Sequence, residues 1–353
     1  MKTKKILVAM SGGVDSSVAA FLLKKQGYQV FGITMAFQVT HGSSNDPRLG
    51  STLNDAKRVC EILEIPHQTL ELSTEFEREV VKPFIKEYLS GRTPNPCVIC
   101  NRQIKFGFLF NYAMKNGFDY FATGHYAQID YINNQFFLRK SQDHSKDQTY
   151  FLYNIHREIL NRILFPLAHL TKEEVKSLAN QLGLLMDEKS ESQDICFLPQ
   201  GGYRDFLKNR SHLDLSGPII NLQGKILGHH EGIYLYTIGQ RKGLGLSNSH
   251  PLYVVDIDLS QNAVIVGEKK DLQAQALVAT QVNLLVDKIP NGEVFALIRY
   301  SQQEHQCTLE PINNEIKVIF TKKLESITPG QSVVWYTQEG VVIGGGIIKE
   351  VLQ

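Results

Sequence analysis

A loop rich in glycine and serine, SGGVDSS at residues 11–17, is the first segment whose residue types suit chemistry. Glycines let the backbone approach a ligand closely, and the unpaired amides of a helix N-terminus bind anions. The serines add hydroxyl donors, whereas the carboxylate of Asp15 would repel a bare phosphate and so predicts a bridging Mg²⁺. A tight turn with an ordinary N-cap is the alternative. The full run favours a phosphate-binding loop, although it lacks the Lys-Ser or Lys-Thr pair of a Walker A motif.

Three of the five cysteines, Cys97, Cys100 and Cys196, stand in segments that suit a reactive thiol. Pro94 and Pro96 predict a loop that gives way to a helix, and a helix N-terminus stabilises a thiolate. Nearby positive charge would have the same effect, or would hold an RNA phosphate. The nearby cations are Arg92, Arg102 and Lys105.

The pairing of these thiols leaves alternatives open. A lone CxxC pair also fits half of a zinc site, but the sequence has no second CxxC pair. Cys196 by itself would be interpreted as structural. Together with the CxxC pair, Cys196 gains weight as a reactive residue, because thiol chemistry commonly needs one attacking thiol and one resolving thiol. Cys60 lies on the apolar face of a predicted helix and Cys307 in a predicted strand, so both are interpreted as core residues.

The bulk properties limit the classes of protein to which the chain can belong. Its 353 residues carry a formal net charge of +1, which excludes a protein that coats nucleic acid through a global basic field. An enzyme with local basic patches stays possible. The N-terminal apolar run spans about six residues, too short for a signal peptide or a membrane span. We therefore expect a cytoplasmic protein without a membrane partner, in which an odd number of cysteines favours thiol, metal or redox chemistry.

Strand and helix patterns alternate along the first 205 residues, which predicts an α/β fold with a parallel sheet and right-handed crossovers. The predicted strands are 5–10, 28–34, 67–72 and 118–123. The predicted helices are 14–26, 52–63, 74–88, 103–115 and 171–182. The last of them opens with a capping-box pattern between Thr171 and Glu174.

The pattern changes after residue 205 to short apolar runs separated by turns. The clearest predicted strands are 294–300, 306–312, 315–320, 332–337 and 340–348. Short strands with frequent turns predict a small β-barrel or sandwich. We predict three domains, at residues 1–205, 206–272 and 273–353.

The first loop resembles the SGGxDS signature of the PP-loop ATP pyrophosphatases, which split ATP between its α and β phosphates and adenylate a substrate oxygen. The whole chain resembles the tRNA-specific 2-thiouridylases of bacteria and mitochondria. The matching segments are SGGVDSSV (11–18), GRTPNPCVICN (91–101), ATGHYA (122–127), KDQTYFLY (146–153), ESQDICF (191–197), YTIGQRKGLG (236–245), IRYSQQ (298–303) and PGQSVVWY (329–336). Other PP-loop enzymes would share only the first segment. The resemblance implies an N-terminal sheet of the adenine-nucleotide alpha-hydrolase type, a small central β-rich domain that contacts tRNA and a C-terminal β-barrel.

The resemblance also implies a reaction in two stages. ATP adenylates O2 of the wobble uridine of a tRNA, and sulfur carried as a cysteine persulfide then displaces AMP. By motif, Cys100 matches the nucleophile and Cys196 the persulfide-bearing cysteine, with a disulfide bond formed on release of the sulfur. The implied cofactors are ATP and Mg²⁺. The implied partners are tRNA and a sulfur donor, which is a persulfide sulfur-carrier protein or a cysteine desulfurase relay.

The binding residues are carried over from the same motifs. ATP contacts match Met10, Ser11, Gly12, Gly13, Val14, Asp15, Ser16, Ser17, Met35 and Gly124. Contacts with the target base match Asn95, Pro96 and Cys97. Contacts with tRNA match His125, Lys146, Asp147, Gln148, Arg299, Tyr300 and Gln331.

One position departs from the family pattern. Many members have Asp where this chain has Cys97, so that DxxC becomes CxxC. Together with Cys100 and Cys196, a third thiolate could hold three corners of a 4Fe–4S cluster and leave one iron open to sulfide. The sequence is compatible both with that route and with a persulfide relay between Cys100 and Cys196.

Two other classes of function compete with thiolation. Another PP-loop adenylating enzyme that acts on RNA, such as a ligase or amidotransferase, would explain the loop at 11–17 but not the three placed cysteines. A non-catalytic RNA-binding protein would explain the β-rich C-terminal part and leave the loop unexplained. Release of pyrophosphate that depends on tRNA and a sulfur donor separates the three.

Overall fold

The computed structural model describes residues 3–37, 47–184, 195–199, 201–210, 216–247, 249–300 and 302–353. The chain divides into two compact units. The first contains 1–80, 97–196 and 339–342, and the second contains 81–96, 197–338 and 343–353. No helix within the described ranges is long and apolar enough to cross a membrane.

Five parallel strands form the sheet of the first unit, in the spatial order β3-β2-β1-β4-β7. Numbered along the chain, they are β1 (Lys5–Ala9), β2 (Gln29–Ala36), β3 (His67–Glu71), β4 (Tyr120–Ala122) and β7 (Ile163–Leu164). Ile6, Leu7 and Val8 of the central strand are fully buried. A parallel sheet covered on both faces requires such a continuous apolar strand, so the predicted parallel α/β sheet is confirmed.

The strand order reverses beside β1, because β2 and β3 lie on one side of it and β4 lies on the other. In open α/β sheets, ligands bind at the carboxyl ends of the strands where this reversal occurs. Residues 10–13, after β1, and residues 123–126, after β4, therefore frame the expected ligand crevice.

Nine α-helices lie within the described ranges. They are α1 (Val14–Lys25), α2 (Pro47–Ile62), α3 (Ser73–Phe76), α4 (Lys82–Leu89), α5 (Pro96–Cys100), α6 (Phe110–Lys115), α7 (Thr149–Leu152), α8 (Lys172–Gln181) and α9 (Gly202–Arg210). Short 3₁₀ turns cover Arg157–Arg162, Ile233–Leu235 and Lys269–Leu272. The capping box of α8 is confirmed, since Glu174 N donates to Thr171 Oγ1 and Thr171 N donates to Glu174 Oε2.

Two predicted helices contain π-helical segments, Glu77–Val81 and Asn101–Leu109. The first joins α3 to α4, and the second joins α5 to α6. A π turn holds more residues per turn than the 3.6 of an α-helix, and it often marks a functional site. The apolar spacing that predicts a helix does not specify this wider turn.

A hairpin of the first unit, β5 (Gln128–Ile132) and β6 (Gln135–Arg139), is absent from the predicted elements. The two residues of its turn, Asn133 and Asn134, both have positive φ, 49° and 64°. Asparagine tolerates this conformation, and two-residue turns with positive φ match the twist of the flanking strands. The Asn-Asn pair was therefore an available signal.

The second unit contains a four-stranded sheet in the order β10-β11-β8-β9. Its strands are β8 (Gly217–Asn221), β9 (Ile226–His230), β10 (Tyr253–Asp258) and β11 (Ala263–Gly267). Pairing is antiparallel except between β11 and β8, which run parallel. The central β-rich part of the prediction is thus confirmed.

A closed barrel of six strands follows in the order β12-β15-β14-β13-β16-β17, which confirms the predicted barrel. The strands are β12 (Gln273–Leu284), β13 (Val294–Leu297), β14 (His305–Ile312), β15 (Glu315–Glu325), β16 (Ser332–Tyr336) and β17 (Val342–Leu352). β12 was absent from the predicted strands. The expectation of short strands was wrong for β12, β15 and β17, which have 12, 11 and 11 residues. β12 pairs with both β15 and β17, so these long strands close the barrel.

The barrel core provides a local probe of its own stability, because the single tryptophan, Trp335, is fully buried in it together with Leu277. Leu277→Ala should lower the free energy of unfolding by about 2–5 kcal/mol, through lost transfer energy and the cavity left behind. Denaturant titration followed by Trp335 fluorescence measures this change. The matched control is Ile312→Ala, at a side chain that is 45% exposed, which should change it by no more than about 0.5 kcal/mol. Equal losses in the two variants would contradict the assignment of Leu277 to the core.

Candidate functional site

The loop from Ser11 to Gly13 connects β1 to the first turn of α1. Gly12 has φ +71°, and a Cβ on it would lie 2.7 Å from the carbonyl oxygen of Thr52. Only glycine fits both the conformation and the space. The first amides of α1 have no acceptor within the helix, as at every helix N-terminus, and so they can bind an anion. The loop thus has a shape that suits an anion, and its use for phosphate binding stays a prediction.

The serines of the loop divide between two tasks. Ser16 and Ser17 are buried, and their hydroxyls donate to the carbonyl oxygen of Gly13 at 3.0 and 2.8 Å. Ser11 is exposed, and its Oγ lies 3.2 Å from Ser16 Oγ. Buried hydroxyls that bond the loop's own backbone hold its shape, whereas Ser11 stays open to a ligand. Sequence reasoning treated all three as ligand donors.

The segment after β4 touches this loop directly. A Cβ on Gly124 would lie 2.6 Å from the backbone nitrogen of Ser16 and 2.7 Å from the carbonyl carbon of Asp15. Only a glycine lets the two strand exits come this close. Met10 joins the same edge, because its backbone nitrogen donates to the carbonyl oxygen of Ile33 and its carbonyl oxygen accepts from Thr34 Oγ1. The predicted nucleotide positions at 10–17, 35 and 124 therefore lie at the carboxyl ends of β1, β2 and β4.

Asp15 is tied to two side chains that the sequence motifs did not connect with it. Lys172 Nζ lies 2.7 and 2.9 Å from the two carboxylate oxygens, and Tyr126 donates its hydroxyl to Oδ1 at 2.9 Å. Lys172 is the first residue of α8, where a positive charge opposes the helix dipole. A lysine at this unfavourable position, directly after the capping residue Thr171, is the sequence signal that points to an anionic partner.

The two cysteines of the CxxC pair lie on α5, which leads straight into the π-helical segment Asn101–Leu109. Cys97 is exposed and Cys100 is buried. Lys105 follows Cys100 by five residues and lies within the π-helical segment. Residues 191–194 of the third cysteine's segment lie outside the described residues, whereas Cys196 is described and exposed.

The three thiols influence one another electrostatically. Burial raises the pKa of Cys97, with Lys105 acting in the opposite direction. Burial raises the pKa of Cys100 to about 11, against the lowering effect of Lys105. Burial first, and then the neighbouring Cys100 and Cys97, raise the pKa of Cys196 to about 12. Cys97 and Cys196 keep a solvent-accessible surface, but protein atoms around them still disfavour the charged form. The predicted stabilisation of a thiolate at the helix start is therefore wrong for the resting protein.

The cations expected near the thiols have different partners. Arg102 donates to the carbonyl oxygen of Asn154 at 2.9 Å, and Arg92 pairs with Glu87 at 2.7 Å. Lys105 Nζ lies 3.3 Å from Nε2 of His125. Lys105 is thus the cation that lowers the pKa of all three thiols against the effect of burial.

His125, predicted to contact tRNA, lies between the two parts of the site. Its Nδ1 is 2.7 Å from Thr123 Oγ1, and its Nε2 faces Lys105. Burial, followed by the charge of Lys105, lowers its pKa well below the usual value. At neutral pH the ring is therefore uncharged, and it cannot serve as a cation for a phosphate. Gly124, between Thr123 and His125, is the residue that touches the phosphate loop.

The remaining predicted tRNA positions make contacts within the chain. Asp147 accepts from the backbone nitrogens of Ser141 and Thr149, and Gln148 Oε1 accepts from Tyr126 N. In the second unit, Arg299 donates to the carbonyl oxygens of Ile238 and Ser326 and to Thr328 Oγ1. Gln331 Nε2 donates to the carbonyl oxygen of Thr93, and Tyr300 is 42% exposed. Each of these donors and acceptors stabilises a loop of the chain itself.

A metal cage does not form from the three cysteines in the described structure. Across the described residues, no group of three histidine, cysteine, aspartate or glutamate side chains is placed to hold a metal ion. A 4Fe–4S cluster held by Cys97, Cys100 and Cys196 stays a prediction from the sequence, which iron and sulfide analysis tests.

Comparison with known proteins gives three consecutive family matches. Residues 4–200 match the tRNA methyl transferase HUP domain, residues 204–268 the tRNA methyl transferase PRC-barrel domain, and residues 274–348 the aminomethyltransferase beta-barrel domain. The chain is 49% identical over 350 residues to tRNA-specific 2-thiouridylase MnmA 1 of Syntrophus aciditrophicus, covering 99% of this chain and 94% of that protein.

The chain belongs to the tRNA-specific 2-thiouridylase family.

Two further 2-thiouridylases agree over the full length. The MnmA 1 protein of Caldanaerobacter subterraneus subsp. tengcongensis is 46% identical, with 98% of each chain covered. The MnmA protein of Halothermothrix orenii is 46% identical, covering 98% of this chain and 99% of that protein. The family resemblance seen in the motifs is thereby confirmed over the whole chain.

The raised pKa of Cys196 predicts an unusual pH dependence of its alkylation, since the thiolate is the reacting form. With a pKa of about 12, the thiolate fraction rises about tenfold between pH 8 and pH 9. A thiol at the usual pKa, about 8.5, would gain only about threefold over the same interval. Iodoacetamide labelling of the full chain, with each cysteine followed by peptide mass spectrometry and glutathione as the control thiol, measures the two slopes. A threefold slope at Cys196 would contradict the desolvated environment.

Proposed function

We propose that the chain is a tRNA-uridine 2-sulfurtransferase that adenylates O2 of the wobble uridine with ATP and then transfers sulfur to C2. One observation carries the proposal: residues 123–125 connect the phosphate loop to the thiols. Gly124 lies against Ser16 and Asp15, and His125 contacts Lys105, whose charge acts on all three thiols. Activation and sulfur transfer need these two kinds of site in one unit.

The phosphate loop suits the first stage. A carbonyl oxygen is a poor leaving group, whereas AMP is a good one, so the uridine oxygen must be activated before sulfur can replace it. The O2 oxygen attacks the α phosphorus of ATP, a P–O bond forms, and pyrophosphate leaves. The amides of α1 and the open hydroxyl of Ser11 would bind the phosphates. Mg²⁺ would neutralise phosphate charge when bound, and a carboxylate oxygen of Asp15 is its natural protein ligand.

The thiols suit the second stage. The terminal sulfur of a persulfide on Cys196 attacks C2, a C–S bond forms and AMP leaves. The thiolate of Cys100 then attacks the cysteine sulfur of Cys196, which forms a disulfide and leaves one sulfur on C2. An external thiol reductant must restore the two cysteines after each turnover. Exposure of Cys196 supports its role as the acceptor of sulfur from a donor protein, whereas burial of Cys100 supports an internal role.

The partners follow from this chemistry. tRNA is the substrate, and the persulfide on Cys196 comes from a persulfide sulfur-carrier protein or a cysteine desulfurase relay. Asn95, Pro96 and Cys97 remain the proposed contacts with the target base, because α5 begins at Pro96 and places Cys97 on its first turn. Lys146, Tyr300 and the other carried-over tRNA positions remain proposals of the same kind.

The cysteine variants test the sulfur route. Cys100→Ser and Cys196→Ser should each abolish 2-thiouridine formation, because a hydroxyl neither carries a persulfide nor resolves one. Nucleoside mass analysis of tRNA after reaction with ATP and a persulfide donor measures the product. Cys60→Ala and Cys307→Ala are the matched controls, since both cysteines are buried in hydrophobic cores, and they should retain thiolation. Full thiolation by Cys196→Ser would remove that residue from the sulfur route.

The variant Cys97→Asp distinguishes a persulfide relay between Cys100 and Cys196 from sulfur transfer through a 4Fe–4S cluster. It restores the DxxC form of the family, so a persulfide relay should keep its activity. Iron and sulfide analysis of protein purified without oxygen should find no stoichiometric iron in either the wild-type or the variant protein. Loss of iron and thiolation together in Cys97→Asp would instead support a cluster held by Cys97, Cys100 and Cys196.

Two exposed cations of the second unit suit an RNA backbone. The side chains of Arg241 and Lys242 are exposed on a turn, and neither side chain forms a hydrogen bond or ion pair within the described ranges. The carbonyl oxygen of Lys242 accepts from Gln240 Nε2 at 3.0 Å, which leaves its ammonium available. Arg241→Ala and Lys242→Ala should each weaken tRNA binding and reduce the slope of log Kd against log salt by about 0.7 to 0.9. Filter binding across a salt series measures both.

Arg299→Ala should also weaken binding, but with an altered thermal transition, since its guanidinium holds the barrel loops. Salt-independent affinity in the wild type would contradict the electrostatic account.

A further inference from the structure

The positive charge that contacts the phosphate loop comes from a residue far away in the sequence. The loop sequence SGGVDSS contains no lysine or arginine. Lys172, 157 residues further along, reaches Asp15 with Nζ at 2.7 and 2.9 Å from the two carboxylate oxygens. Its side chain is only 8% exposed, whereas that of Asp15 is 34% exposed. A nearly buried ammonium thus meets a partly open carboxylate.

The surroundings of Lys172 are costly for a cation. It occupies the first position of α8, where the helix dipole repels positive charge. Withdrawing an ammonium from water also costs free energy, and the pair with the partly solvated carboxylate of Asp15 offsets part of that cost. Tyr126 assists through the face of its ring, 5.7 Å from Nζ, and through the hydroxyl that it donates to Asp15. A cation retained under such conditions is suited to an anion stronger than a single carboxylate.

That anion follows from the site itself. The amides of α1 attract the phosphates of a nucleotide to the same turn that carries Asp15, and the carboxylate would repel them. The ammonium of Lys172 already contacts this turn through Asp15. A small movement of the lysine side chain would therefore let it leave the carboxylate and bind a phosphate. Asp15 would then be released to hold Mg²⁺, the role that its position in the loop predicts.

We propose that Lys172 is a phosphate-binding residue of the ATP site, which pairs with Asp15 in the nucleotide-free protein and with the β and γ phosphates of ATP in the loaded protein. This assignment rests on the proposed use of ATP by the loop. It adds to the site a residue outside the family motifs quoted above, and it gives the Asp15–Lys172 pair an exchange function in addition to stabilisation.

Nucleotide binding without tRNA or a sulfur donor tests the proposal. Isothermal titration of the full chain should give a Kd for Mg·ATP that is at least tenfold weaker in Lys172→Met than in the wild type. The Kd for AMP, which lacks the two outer phosphates, should change by less than twofold. Lys172→Arg keeps the charge and should recover part of the ATP affinity. Lys4→Met is the matched control, because Lys4 forms an exposed pair with Asp119 at 3.2 Å in the same unit, and it should bind both nucleotides normally.

Several outcomes would overturn the assignment. Unchanged ATP affinity in Lys172→Met would do so, and so would equal losses for ATP and AMP, which indicate a structural role. If Lys172→Met does not fold by circular dichroism, Asp15→Asn combined with Lys172→Met removes both charges. Its affinity for ATP, but not for AMP, should then be weaker than that of Asp15→Asn alone, and equal ATP affinity in these two variants would overturn the assignment. A wild-type chain that binds no ATP would overturn the proposed function, and this assignment with it, whereas normal wild-type binding leaves any failure with Lys172 alone.

Discussion

The close approach of Gly124 to the first turn of α1 is the contact on which the candidate site depends. A single added carbon at this position would overlap the backbone of Ser16 and Asp15. Because β4 and β1 are adjacent parallel strands, their exits are brought together by the sheet, and a residue without a side chain completes the approach. Gly124 is followed directly by His125, whose ring nitrogen Nε2 lies 3.3 Å from Lys105 Nζ. Sheet pairing therefore determines where the nucleotide chemistry and the thiol chemistry can meet.

Much of the fold could be predicted from local patterns, because buried parallel strands, amphipathic helices and a capping box each leave a periodic or positional signal. β1 and α1 follow their predicted ranges closely for this reason. The π-helical turn after Cys100 could not be predicted in the same way, since it depends on packing and leaves the apolar spacing nearly unchanged. The long strand β12 carries its hydrophobic residues among small and polar ones, so its sequence alone does not mark it as a strand. Its register is determined by its pairing with β15 and β17 in the barrel.

The candidate site divides in a similar way. Motif spacing located the phosphate loop and the cysteines, since those residues are close in sequence or carried by recognisable segments. It could not reveal that Lys172 contacts Asp15, because 157 residues separate them. It also assigned external roles to Arg299, Gln331 and His125, whose polar atoms bond the chain itself. Residue type indicates what a side chain can do, whereas only packing decides which partner it meets.

The high pKa of the thiols has a consequence for the protein between turnovers. Hydrogen peroxide oxidises thiolates and reacts poorly with thiols, so cysteines that stay protonated are slow to form sulfenic acid. Cys196, although exposed, is therefore shielded from adventitious oxidation by the same desolvation that raises its pKa to about 12. If Cys196 is the sulfur acceptor that we propose, it thus stays reduced between turnovers.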